Sequence, residues 1–267
     1  MNIKITIATT ALLATFTSCH RNAMTGKSAL NLIPEQELIT MSKTEYQKFL
    51  TEHPPLPASD SRVQMVRNCG ERIQKAVEEI YAQKNATKDL NGFEWEFNVV
   101  GEEVVNAWCM PGGKVVVYTG LLPVTQDETS LAVVMGHEIA HAIARHGNQR
   151  MSQGLLIQYG GATLSAMVGS KPQATQALFN QSFGLVSTLG ALKYSRKHET
   201  EADKLGLCFA AAAGYNPEAA IAFWERMAAA SGGQKPPEIL STHPSDATRI
   251  AALKEYMPEA MKYYKPR

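Results

Sequence analysis

Gly136-His137-Glu138-Ile139-Ala140-His141 decides how this chain is read. A helix advances about 100° per residue, so His137 and His141 fall on one face, a single turn apart. Two imidazoles at that spacing can reach one Zn²⁺. Glu138 sits at the edge of the same face, placed to take a proton from a water that the metal activates for attack on a peptide carbonyl. The H-E-x-x-H pattern is therefore read as the heart of one zinc site per chain. Residues 128–135 supply an acidic first turn and an apolar body, as a buried helix requires. Gly136 costs a helix about 1 kcal/mol relative to Ala, so a glycine here implies that another backbone or a substrate passes close. Arg145 and His146 read as last-turn cations and Gly147 as the stop. Nine positions after His137, His146 would lie on the far side of a continuous helix, and it is read as a partner of the helix dipole.

A catalytic zinc site needs a third protein ligand. The segment 195–206 offers His198, Glu199, Glu201 and Asp203. Glu199 and Asp203 are four apart and share a helical face, whereas Glu201 points roughly 200° away from Glu199. Spacing selects Glu199 as the ligand. Asp203 then accepts the free ring N–H of a ligand histidine and fixes its tautomer. Glu201 is left as a solvated or salt-bridged residue.

With these elements on the page, the chain resembles the zinc metallopeptidase family of the CAAX prenyl endopeptidases and HtpX, on the side of the periplasmic BepA/LoiP-like lipoprotein proteases. The likeness rests on the H-E-x-x-H helix and the Glu199/Asp203 element. It also rests on the tail at 24–33, on Asn106-Ala107 with Pro111-Gly112-Gly113, and on Ser241-Thr242-His243-Pro244 with Arg249. It implies a mainly helical α+β fold, a zincin-like (gluzincin) domain with a small sheet beside the active-site helix. It implies His137, His141 and Glu199 as ligands and Glu138 as catalytic base. It also implies that His243 lies at the site, which the residues alone do not: a loop histidine before a proline otherwise reads as surface decoration. Two roles for His243 stay open. It could stabilise the oxyanion, or it could fill the open metal position and hold the enzyme latent until the 231–237 loop moves.

The N-terminus bears on compartment. Residues 5–16 form an apolar stretch too short to span a bilayer, which reads as a secretory segment. Phe16-Thr17-Ser18-Cys19 resembles a lipobox, giving residues 1–18 as a lipoprotein signal, Cys19 as the acylated residue and 19–34 as a lipid-anchored tail. Residues 35–267 form the metallopeptidase domain. The expected location is the periplasm of a Gram-negative bacterium, on the outer membrane. The expected partners are unfolded or misassembled envelope polypeptides and the outer-membrane assembly machinery. A net charge of +1 argues against an electrostatically driven nucleic-acid binder. Cys69 and Cys208 read as buried thiols, and a bridge between them is left open.

Periodicity predicts helices over 35–50 and 61–81, the second with the stripe Val63, Val66, Cys69, Ile73, Val77 and Ile80. Strands are predicted at 93–99, 104–108 and 114–119. Asn106, Ala107 and Trp108 are chosen as the edge that adds an extended substrate to the sheet through main-chain hydrogen bonds. The apolar stretch 151–194 is predicted to form a helical pair over the catalytic helices, with a membrane-facing lid, 155–168 lying on a bilayer surface, as the other reading. A further helix at 217–230 should bury Phe223 and Trp224.

Overall fold

The computed structural model describes residues 19–159, 172–183, 194–230, 239, 243 and 247–266. The expected signal segment, residues 160–171 and 184–193 of the apolar stretch 151–194, the 231–237 loop and the chain neighbours of His243 lie outside the described residues.

The described chain begins with a small hairpin. Strand β1 (Cys19–Arg21) pairs antiparallel with β2 (Ser28–Leu30). In its turn, Asn22 Oδ1 accepts from the backbone N–H groups of Met24 and Thr25, and Gly26 takes φ 67°. Helices α1 (Glu35–Glu52) and α2 (Ser61–Gln83) follow, the second capped by the Asp60 carboxylate, which accepts from Arg62 N–H. All six residues of the predicted α2 stripe are buried.

Strands β3 (Glu96–Val100), β4 (Ala107–Met110) and β5 (Lys114–Tyr118) form one sheet in the order β3-β5-β4. Strand β5 is central, parallel to β3 and antiparallel to β4. Alternation sorts its side chains. Ala107, Cys109, Val115 and Val117 face the core with α2, while Val116 and Tyr118 pack with Tyr46 and Phe49 of α1. The first two strands start later than predicted because the turn at Pro111-Gly112-Gly113 sets the register. Gly112 and Gly113 both have positive φ, 86° and 83°, so Met110 is paired with Lys114 straight out of the turn.

Helix α3 (Glu128–Ile143) carries the motif. Asp127 caps it by accepting from Ser130 N–H, and every residue from Ser130 to Ile143 is buried. It ends earlier than predicted. Arg145 adopts φ 58°, and a second helix, α4 (His146–Tyr159), starts at the next residue. His146 and Gly147 therefore open α4 instead of closing α3. Helix α5 (Pro172–Ser182) packs on α4, with Phe179 buried against Met151 and Leu155. Helix α6 (Arg196–Ala212), capped by Ser195, carries Glu199 and Asp203. Helices α7 (Ala219–Ala230) and α8 (Ala247–Met261) complete the described fold, with Phe223 and Trp224 buried as expected. Among the described residues no helix is long and apolar enough to cross a membrane. Cys69, Cys109 and Cys208 are buried free thiols, so no Cys69–Cys208 bridge forms.

The predicted close approach at Gly136 is that of another backbone. A Cβ at Gly136 would stand 2.8 Å from the Gly206 carbonyl oxygen, and one at Gly206 would stand 2.7 Å from His137 N. Helices α3 and α6 touch backbone to backbone at this glycine pair. Helix propensity alone would make Gly206→Ala stabilising by about 1 kcal/mol. The contact reverses the sign: urea unfolding should show a net loss of about 1–3 kcal/mol, the usual cost of overpacking.

Candidate metal centre

The Gly136–Gly206 crossing sets the first turn of α6 beside the motif of α3. His137 Nε2 and His141 Nε2 lie 3.1 Å apart, and Glu199 reaches both, at 3.5 and 3.4 Å. His243 Nδ1 joins them, 3.1 Å from His137 Nε2 and 3.0 Å from Glu199 Oε1. One donor atom from each of these four buried residues falls within 4.8 Å of the others. Two ligands 2.0–2.1 Å from a tetrahedral ion stand about 3.3–3.4 Å apart, so this donor set has the spacing of a tetrahedral metal site. Glu199 Oε2 and Glu138 Oε1 are buried without a hydrogen-bond partner, as groups that await a cation and a water should be.

The remaining nitrogens of the two helical histidines are held from behind. His137 Nδ1 is 2.9 Å from Asp203 Oδ1, as the spacing predicted. Asp203 is gripped in turn by Arg249, whose Nε and terminal nitrogen donate at 2.9 and 2.7 Å. The Arg249 guanidinium stacks on Trp224, 3.4 Å from the ring centre. His141 Nδ1 lies 3.0 Å from Nδ1 of His146. That contact was not anticipated, because the far-side placement of His146 assumed an unbroken helix, and the left-handed Arg145 swings the ring back. Glu201 takes the second of its two expected states. It is ion-paired, with Lys27 at 3.1 Å, but it is buried rather than solvated.

Residues 67–257 match the family described as Peptidase family M48. The chain belongs to peptidase family M48. It is 38% identical over 176 residues to the mitochondrial metalloendopeptidase OMA1 of Schizosaccharomyces pombe, covering 66% of this chain and 50% of the relative. To the human metalloendopeptidase OMA1 it is 32% identical over 258 residues, 92% of this chain and 47% of the relative. To the beta-barrel assembly-enhancing protease of Escherichia coli it is 32% identical over 169 residues, 59% of this chain and 33% of the relative. The chain thus spans about half or less of the length of these relatives. The M48 assignment agrees with the resemblance read from the motifs.

Electrostatics distinguish the carboxylates of this M48 site. Burial pushes the Glu138 carboxyl up, towards the range of a proton acceptor, although His243 and His137 oppose it. Burial acts the same way on Glu199, but His243, His137 and His141 outweigh it and hold that carboxyl well below its usual range. Tyr194, unnoticed in the sequence, tilts over His141 with ring centres 3.8 Å apart, and burial pushes its hydroxyl up to about 12. No spacing rule could find it, since it precedes α6 and reaches His141 only through the tertiary fold.

The predicted substrate edge belongs to a strand that packs on α3. Ala107 and Trp108 lie on β4, at one end of the strand order, and Asn106 immediately precedes it. Ala107 faces the core, while Trp108 packs edge-on against Tyr46 and Phe49 on the opposite face. Val105 accepts a backbone hydrogen bond from Ile239 N–H, and Ile239 accepts one from His243 N–H. The segment that carries His243 is therefore tied to the chain leading into that edge. Removing Arg249 would strand the Asp203 carboxylate in the interior. Arg249→Ala should lower the unfolding free energy by about 3–5 kcal/mol, read from denaturant midpoints at constant m-value.

Proposed function

We propose that this chain is a zinc-dependent endopeptidase that cleaves misfolded or unassembled cell-envelope proteins. The observation that carries the reading is the convergence of His137, His141, Glu199 and His243 on one point, with Glu138 beside it. The names of the relatives, metalloendopeptidase and beta-barrel assembly-enhancing protease, favour the same chemistry. His137, His141 and Glu199 would hold the ion. When bound, zinc supplies a Lewis acid that makes water nucleophilic near neutral pH. The protein's own residues do the rest. Glu138 takes the proton of the attacking water and returns it to the leaving amine, and its buried carboxyl suits that exchange. Asp203 keeps His137 in the tautomer whose Nε2 lone pair faces the site. The edge at Asn106, Ala107 and Trp108 aligns the substrate through main-chain hydrogen bonds, which recognise an extended chain more than its side chains. Acylation at Cys19 anchors the enzyme to the outer membrane of a Gram-negative cell, with residues 1–18 as signal and 19–34 as tether. That part rests on the lipobox-like sequence; OMA1 relatives bear mitochondrial names.

A chaperone or assembly factor for outer-membrane proteins, with conditional proteolysis, is the second reading, favoured by the name of the Escherichia coli relative. His243 is where the two readings meet. Its Nδ1 stands among the donor atoms and its segment is tied to Val105, an arrangement that favours a latent fourth ligand over an oxyanion group.

Glu138→Gln should keep zinc and fold while casein cleavage falls by about 10²–10⁴-fold, the contribution of a general base. Near-normal turnover would remove Glu138 from the mechanism. Persistence of the cellular role in that variant would favour holding over cleavage. His243→Ala should retain or raise basal cleavage; a fall of about 10²-fold with zinc bound would assign it to oxyanion stabilisation instead.

A further inference from the structure

His137 and His141 are supported by different means. Behind His137 stands one carboxylate in direct contact, Asp203. Behind His141 stands another imidazole, His146, fully buried at the first position of α4. If His141 commits Nε2 to the metal, its ring proton sits on Nδ1 and is donated to Nδ1 of His146. Valence then puts the proton of a neutral His146 on Nε2. That atom makes no hydrogen bond, and the carboxylate it meets is Glu201, whose Oε2 stands 3.7 Å away in an ion-pair contact. The His146 ring is held in place by stacking on His198, with centres 4.5 Å apart and planes 20° from parallel. His198 in turn is fixed by Gln149 Oε1, 3.0 Å from its Nε2.

Glu201 does not stand alone at the end of this chain. Thr25 Oγ1 donates to Oε1 at 2.5 Å, and Lys27 Nζ donates to Oε2 at 3.1 Å. Both come from the turn between β1 and β2. That turn has its own geometry, set by Asn22 and the left-handed Gly26. It lies some 40 residues before the stretch 67–257 that matches the family.

We propose that the N-terminal hairpin is a positioning element of the metal site, with Thr25 and Lys27 orienting Glu201, Glu201 orienting His146, and His146 fixing the tautomer and aim of His141. The inference rests on the zinc reading above. It assigns His146 and Glu201 as positioning residues and makes the hairpin more than a tether.

The test measures zinc affinity by chelator competition on the full chain, alongside urea unfolding of the metal-free protein. His146→Phe and Glu201→Gln should each weaken zinc by about 10–100-fold, the usual loss when the support of a ligand is removed. His146→Gln should recover part of that loss, since its amide can accept from His141 and donate onward. Thr25→Val combined with Lys27→Met should weaken zinc by a smaller factor in the parent and add nothing in the Glu201→Gln background. A purely structural hairpin would instead lower metal-free stability equally in both backgrounds and leave zinc affinity unchanged. Parental affinity in a folded His146→Phe protein overturns the proposal, and so does a hairpin effect that is undiminished without Glu201. If His146→Phe does not fold, Glu201→Gln and the hairpin double variant decide by the same criteria. A parent protein that binds no zinc overturns the metal centre itself and this support with it, whereas a zinc-binding parent with indifferent variants overturns the support alone.

Discussion

The contact between Gly136 and Gly206 sets the distance on which the whole site depends. Two helices with ordinary side chains at their crossing keep their axes about 8–10 Å apart. Here neither helix has a Cβ at the crossing, and the backbones meet. His137 follows one glycine directly, and Asp203 and Glu199 lie one and two turns before the other. A carboxylate side chain is short. Only a close crossing lets Glu199 reach the Nε2 atoms of both histidines while Asp203 reaches Nδ1 of one. Each glycine weakens its own helix by about 1 kcal/mol, a cost offset by burial of the entire α3 surface from Ser130 to Ile143.

Much of this was legible because it is periodic. The α2 stripe, the shared face of His137 and His141, and the shared face of Glu199 and Asp203 all follow from helical angle alone, and each is found as expected. The sheet was legible in the number of its strands but not in their order or register. Register depended on two consecutive positive-φ glycines, whose effect is a turn geometry rather than a hydrophobic pattern. His146 shows the limit most clearly. Angular arithmetic holds only while the helix continues, and one left-handed residue, Arg145, cancels it. Nothing in Ala144-Arg145-His146 announces that break, since arginine is an uncommon residue at positive φ.

Glu201 illustrates a different limit. Its spacing correctly turned it away from Glu199, yet spacing says nothing of what covers the other face of a helix. The cover is a turn 174 residues earlier in the chain, through Lys27. Such a contact is non-local, leaves no periodic trace, and can be found only in the folded molecule. His243 is similar in kind. It entered the reading through family likeness, and its link to the site runs through a backbone hydrogen bond from Ile239 to Val105 that no motif encodes.

The charge balance of the interior gives the donor set its chemical sense. Glu138, Glu199 and Asp203 bring three carboxylates into a region where each is almost wholly buried. Arg249 offsets one of them through its paired hydrogen bonds to Asp203, and its remaining nitrogen comes within 3.4 Å of Glu199. Arg150 lies farther out, its guanidinium stacked on Tyr194 and donating to the Ser182 carbonyl. Buried carboxylates that lack a compensating cation cost several kcal/mol each, so a cluster of this kind is tolerated only where positive charge is supplied. Two imidazoles and a carboxylate oxygen without a hydrogen-bond partner are a donor set for a divalent ion, which would add the missing charge at Glu199 Oε2. Glu138 is the one carboxylate of the three outside the Arg249 and Asp203 grip. Its ion-pair contact is with His243 Nε2, 3.6 Å from Oε1, which suits the proton-accepting role proposed for it.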